Sequence, residues 1–243
     1  MVNKNLVRIA NRLGKDKFHE NERSQSTLDS GTGAPLYIPS IGLHVSEKVY
    51  YENNDKSWLD WKLWLRERAS AMLTPVEFWK FYEYCLENRE DIVEDMNINT
   101  EYLNAVAMPG VGGLSKDLKD KNLVDGLLLE KGGIRNCLYS NGNFDFEDIH
   151  RVDGLPARLK DSVGDFRYRT IDGWTEKGLI RNGRGKYGGF GFCFDLSLRS
   201  LCANVSIGVR ECKRLGAIGG FIYNDEAENI PMLSKFTITG ALA

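Results

Sequence analysis

Long apolar runs are missing from this chain; none reaches the roughly 18 residues that a membrane-spanning helix needs. Charge of one sign is missing too. Lys and Arg number 32 against 34 Asp and Glu, a net charge of −2, which excludes a general attraction to nucleic acid or to acidic membranes. The small excess is uneven: residues 151–243 carry 14 basic against 10 acidic side chains, leaving 18 against 24 before them. Histidine is scarce, at three, and His19, His44 and His150 are not spaced to act together. The five cysteines, Cys85, Cys137, Cys193, Cys202 and Cys212, include no CxxC and no histidine at ligand spacing. A clustered zinc site is therefore not expected, and most of them read as free thiols of a reducing compartment. A bridge between Cys193 and Cys202 stays open. The first residues, MVNKNLVRIANRLGK, are charged throughout and lack the apolar core of a secretory signal. No cofactor, metal, nucleic acid or membrane insertion is expected, and the compartment and oligomeric state are left open.

What is present is an ordinary globular core, 42% hydrophobic with eleven Phe, ten Tyr and five Trp. One stretch organises the reading: YGGFGFCFDLSLRSLCANVSIGVREC, Tyr187 to Cys212. From Gly188 to Leu198, alternation places Phe190, Phe192, Phe194, Leu196 and Leu198 on one face. Gly189, Gly191, Cys193, Asp195 and Ser197 fall on the other, the pattern of a strand buried on one side. An irregular segment, Arg199 to Asn204, follows. A closing strand, Val205 to Glu211, carries Ile207 and Val209 on one face and Arg210 on the other.

Residues 3–13 suit a short amphipathic helix, and residues 22–34 are polar and Gly/Ser/Thr-rich, so 1–34 reads as an extension and linker before a domain at 35–243. Short strands are expected at Leu36–Ile38 and Gly42–Val45. A helix is expected over Lys56–Leu73, with Trp58, Trp61, Leu65, Ala69 and Met72 on its inner stripe and Asp60, Lys62, Arg66 and Glu67 outside. Thr74-Pro75-Val76-Glu77 is a capping box opening a second helix to about Asn88, which buries Phe78, Trp79, Tyr82 and Leu86. Helical turns are expected at Asp91–Met96 and Thr100–Met108. The glycines after Pro109 lack a following GK[ST] and read as a turn. Strands follow at Val124–Leu129, Phe166–Thr170, Leu179–Ile180, 214–223 and 233–240, and Phe144 to Ile149 reads as a solvated strand face. Helices early and short strands late make the class α+β, not alternating βαβ.

On these residues rests a resemblance. Arg184-Gly185, a glycine-rich turn, Phe192, Leu196, an irregular segment and Ile207-Gly208-Val209-Arg210 resemble the end of a formylglycine-generating-enzyme-type C-type lectin domain. The family closes on Ile-Gly-Phe-Arg, and Val209 replaces the Phe. Upstream, Pro39-Ser40-Ile41-Gly42-Leu43 and Leu73-Thr74-Pro75-Val76-Glu77-Phe78 fit the same domain. The chain is most similar to the archaeal variable proteins of diversity-generating retroelements, over roughly residues 35–215.

In that family, copying errors at adenines scatter Asn codons into a residue set without Lys, Glu, Gln, Met or Trp. None of the five occurs from Tyr187 to Arg210, although Lys186 and Glu211 flank the stretch. Residues 26–46 lack them as well, so the absence supports the resemblance without carrying it.

The resemblance implies a C-type lectin-like fold, with a variable region near 184–210 and a binding face for a protein or cell-surface ligand. That face would draw on Tyr187, Gly188, Gly189, Asp195, Ser197, Leu198, Arg199, Ser200, Leu201, Cys202 and Asn204. Phe190, Phe192, Phe194, Leu196, Ile207 and Val209 would be scaffold. Two other expectations stand beside it. A formylglycine-generating-type enzyme needs a reactive Cys193 or Cys202, and a structural assembly protein would bury residues 187–204 between copies. The Glu-Pro-Asn or Gln-Pro-Asp loop of calcium-dependent sugar binders is absent.

Overall fold

The computed structural model describes residues 35–51, 56–107, 126–129, 136–170, 177–183, 192–196, 204 and 206–214. The expectations for 1–34, for the glycines after Pro109 and for the strands at 214–223 and 233–240 lie outside the described residues, apart from Arg214. The fold is α+β. Three helices, α1 (Trp58–Arg66), α2 (Pro75–Asn88) and α3 (Glu90–Ile98), accompany eleven short strands among the described residues.

Local chemistry starts two of the helices. Ser57 caps α1, its Oγ accepting from the Asp60 amide at 3.1 Å while Asp60 accepts from the Ser57 amide at 2.9 Å. Thr74 and Glu77 make the same reciprocal pair at α2, with Pro75 in the first turn, which satisfies amides that no helical carbonyl reaches. The helix expected over Lys56–Leu73 stops short, at Arg66. Ala69 takes a left-handed φ of 51°, and the chain continues as strand β3 (Ala71–Met72).

A four-stranded antiparallel sheet has the order β1 (Leu36–Ile38), β2 (Leu43–Val45), β11 (Glu211–Arg214), β3. A seven-stranded mixed sheet has the order β10 (Gly208–Val209), β4 (Glu101–Ala107), β8 (Lys177–Asn182), β9 (Cys193–Leu196), β7 (Phe166–Thr170), β6 (Gly142–Phe144), with β5 (Leu127–Leu129) also on β4. Two of its pairings near the stretch are parallel: β10 with β4, and β7 with β9.

Strand β4 corrects the expected helical turn at Thr100–Met108. All seven residues are buried. Leu103, Ala105 and Ala107 enter one core, while Tyr102 and Val106 enter the other. The first core is aromatic: Phe78 and Trp79 of α2 meet Phe192 and Phe194, and Trp79 lies 4.8 Å from Phe166 edge to face. The second lies under α1, where Trp58, Trp61 and Leu65 pack on Ile180, Ile207 and Val209. Lys62, expected outside the stripe, is buried instead: its Nζ donates to Asn104 Oδ1 at 2.6 Å and lies 5.1 Å from the Trp58 ring. The stem covers apolar surface while the head finds a carbonyl and a ring face.

The Phe144–Ile149 segment is not a solvated strand face either. It leaves β6 for a 3-10 turn at Phe146–Asp148. Asp148 is buried and accepts from Lys160 at 2.8 Å and also from Arg158, and Asp145 accepts from Lys160 as well.

Candidate functional site

Of the residues expected on the binding face, Asp195 and Asn204 are described. Tyr187, Gly188, Gly189, Ser197, Leu198, Arg199, Ser200, Leu201 and Cys202 lie outside the described residues, as do Phe190, Gly191 and Leu198 of the expected long strand.

Asp195 is a correction. It stands on β9 opposite Ile180 and Arg169, is 3% exposed, and has the Asn182 amide group 3.5 Å from its Oδ2. Strand β9 is flanked by β8 and β7 and buried along both faces, so alternation along it sorts two interiors, not an interior and a surface. Asn204 is half-buried and closes a local turn: its Oδ1 accepts from the Ser206 amide at 2.9 Å, and its amide donates to the Lys56 carbonyl at 3.3 Å. Ser206 beside it is exposed.

The expected scaffold residues within the described set are buried. Phe192, Phe194 and Leu196 join the aromatic core, and Ile207 and Val209 join the other. The closing Ile207-Gly208-Val209-Arg210 has a structural reason at each position. The Ile207 carbonyl accepts from the Trp61 indole at 3.1 Å. A Cβ at Gly208 would overlap the Tyr50 carbonyl oxygen, so the tight approach of the two backbones requires glycine. Val209 exchanges backbone hydrogen bonds with Tyr50 at 2.8 and 3.0 Å. Arg210 turns to the opposite side.

Arg210 leads to the feature that sequence reasoning missed. Glu101, at the start of β4, is fully buried and holds two fully buried arginines, one on each carboxylate oxygen. Arg181 Nε donates to Oε1 at 2.7 Å and Arg210 Nε to Oε2 at 3.2 Å. Arg181 also donates to the Met96 and Asn99 carbonyls at 2.6 and 3.1 Å and lies 5.1 Å from the Phe192 ring. Arg210 donates to Asp95 at 2.9 Å, to the Ser46 carbonyl at 3.0 Å and to the Glu47 carbonyl, and lies 5.4 Å from the Phe81 ring. Buried charges persist only when paired and hydrogen-bonded, and here both conditions are met. Arg181 precedes the organising stretch and Arg210 closes it. One carboxylate thus ties both ends of the span from Arg181, near the end of β8, to Arg210, between β10 and β11. The only sequence signal was a lone acidic residue opening an apolar run.

Two of the described thiols are shifted away from reactivity. Burial, with the nearby Asp195 charge, pushes the Cys193 thiol up to about 12, and burial does the same to Cys85; a thiol needs the opposite shift to be reactive. None of the four described cysteines forms a disulfide, and Cys202 lies outside the described residues. His44 packs on Tyr37 with ring centroids 5.1 Å apart, while His150 Nδ1 lies 3.4 Å from Asp153. No group of three or more metal-ligating side chains is found among the described residues, and no helix there is long and apolar enough to cross a membrane.

No family model, no curated protein and no solved structure matches this chain.

Proposed function

We propose that this chain is a non-enzymatic binding protein with a C-type lectin-like fold, akin to the archaeal variable proteins of diversity-generating retroelements. Its binding face is built from residues 187–204, and its ligand is a protein or a cell-surface molecule. The observation that carries this reading is the shared clamp: Glu101 holds Arg181 and Arg210 on either side of the stretch, and Phe192, Phe194 and Leu196 pin its middle in the aromatic core. A span fixed at both ends and at its centre by buried groups is free to change side chains elsewhere without losing its frame, the division of labour expected of binding loops on a rigid support. The missing Lys, Glu, Gln, Met and Trp between Tyr187 and Arg210 point the same way. Asp195 is removed from the face by its burial.

The encoding DNA provides the test. A near-copy of the segment for residues 180–212, differing at adenines and adjoining a reverse-transcriptase gene, is expected beside the gene. An intact locus without one overturns diversification.

The competing enzyme reading needs a reactive cysteine, and the raised Cys193 thiol counts against that residue as the nucleophile. Labelling of the native chain with a disulfide reagent at pH 8 is expected to leave Cys193 unmodified until the protein unfolds. Fast modification of Cys193 in the folded state would restore the enzyme reading.

A further inference from the structure

The chain holds one Asn-x-Ser/Thr triplet, Asn204-Val205-Ser206, and the structure sets it in a turn with Asn204 half-buried and Ser206 exposed. The turn is anchored on its inner side. The Asn204 amide donates to the Lys56 carbonyl at 3.3 Å, and the Asn204 carbonyl accepts from the amide of Ile207 at 3.3 Å. Ile207 in turn is buried with Trp58 and Trp61 of α1. One bond orients the Asn204 side chain: its Oδ1 accepts from the Ser206 amide at 2.9 Å, closing an Asx turn. The NH2 of Asn204 and the hydroxyl of Ser206 are left without a partner among the described residues. By contrast Asn99, Asn143 and Asn182 each donate from their NH2 groups.

An amide nitrogen is a poor nucleophile because its lone pair is shared with the carbonyl. A hydrogen bond to Oδ1 draws density toward the oxygen, which eases loss of a proton from Nδ2. A hydroxyl two residues on, with a middle residue other than proline, completes the acceptor pattern of Asn-linked glycosylation at a surface turn. We propose that Asn204 accepts an oligosaccharide from a polyprenyl-diphosphate-linked donor. Nδ2 forms a bond to the anomeric carbon of the sugar, and the bond from that carbon to the carrier's phosphate oxygen breaks. The diphosphate leaves with the electron pair, and one Nδ2 proton passes to a base of the transferring enzyme. Nothing is oxidised or reduced. Because both cores lie behind the turn, a bulky sugar fits there without moving Ile207. Attachment requires export across the membrane that bears the carrier, so a modified chain would also overturn the reducing compartment expected from the thiols. The assignment does not depend on whether residues 187–204 bind a ligand.

Trypsin releases the site as residues 200–210, cut after Arg199 and Arg210. In the full chain purified from the cells that naturally carry its gene, mass spectrometry should show this peptide heavier by a chain of hexose- and hexosamine-type units. Fragmentation is expected to place the sugar on Asn204. Ser206→Ala, made in the same cells, removes only the exposed hydroxyl and keeps the amide that closes the turn, so the fold stays and the added mass should vanish. Ser206→Thr, which restores a hydroxyl, should bring the mass back. A peptide of unmodified mass, sugar carried on the Ser206 oxygen, or sugar persisting in Ser206→Ala would each overturn the proposal.

Discussion

Two ionic clusters on β4 and beside β6, among the described residues, differ in setting more than in chemistry. Glu101, Arg181 and Arg210 are fully buried under the aromatic core, with further bonds to backbone carbonyls and to Asp95. Asp145, Asp148, Arg158 and Lys160 form a cluster of the same residue types beside β6, yet the Arg158 side chain is 69% exposed and that of Lys160 28%. Water screens Arg158, so that partner is individually dispensable, whereas the Asp148 side chain is itself buried. In the inner cluster the loss of one group strands the others in a medium that cannot solvate them. The inner cluster, and not the outer one, is therefore suited to be the fixed frame of the stretch proposed to vary.

The sharpest way to break the comparison is Glu101→Leu, which leaves two buried arginines without their carboxylate. It is expected to cost about 3–5 kcal/mol, read as a lowered urea midpoint; a change under about 1 kcal/mol would show that the backbone carbonyls alone hold the arginines. Next comes Gly208→Ala, whose methyl overlaps the Tyr50 carbonyl. Overpacking there should cost about 1–3 kcal/mol, while Ser206→Ala, two residues earlier and exposed, should leave the midpoint where it was.

In the outer cluster the effect is smaller and depends on pH. Burial pushes the Asp148 carboxyl up, but bonds from Lys160, the Asp145 amide and Arg158 outweigh it and hold the group below the usual carboxylate range. A carboxyl depressed in the fold stabilises at any pH above its unfolded value, about 3.9, and loses that contribution as pH falls through its folded value. Asp148→Asn should therefore flatten the acid limb of the stability curve below about pH 4. An unchanged acid limb would mean that Asp148 does not drive it. Arg158→Ala should have the least effect of all, with its urea midpoint matching that of the parent chain.

Much of the frame was legible in the sequence. Thr74 to Glu77 announced its helix because a capping box is local chemistry, and Phe166–Thr170 announced its strand because one side of each pair is only half-buried. The failures share a cause. Strand β4 lies between two cores, so its run Glu-Tyr-Leu-Asn-Ala-Val-Ala has no period-2 contrast and reads as helix. Asp195 and Lys62 fail in the same way: each is a polar residue whose partner, Asn182 or Asn104, is remote in sequence. Glu101 is the extreme case, since its partners lie 80 and 109 positions away and no local pattern encodes them.

Under the proposed function the stretch can change while its frame cannot. The direct measurement is the stability of a library in which Ser197, Leu198, Arg199, Ser200, Leu201 and Cys202 are replaced together, compared with substitutions of Phe192 and Phe194. The account predicts library members within about 0.5 kcal/mol of the parent chain, as for positions outside a core. It predicts losses of about 3–5 kcal/mol for Phe192→Ala or Phe194→Ala. Library members that unfold as readily as the Phe variants would contradict it, because those side chains would then belong to the core.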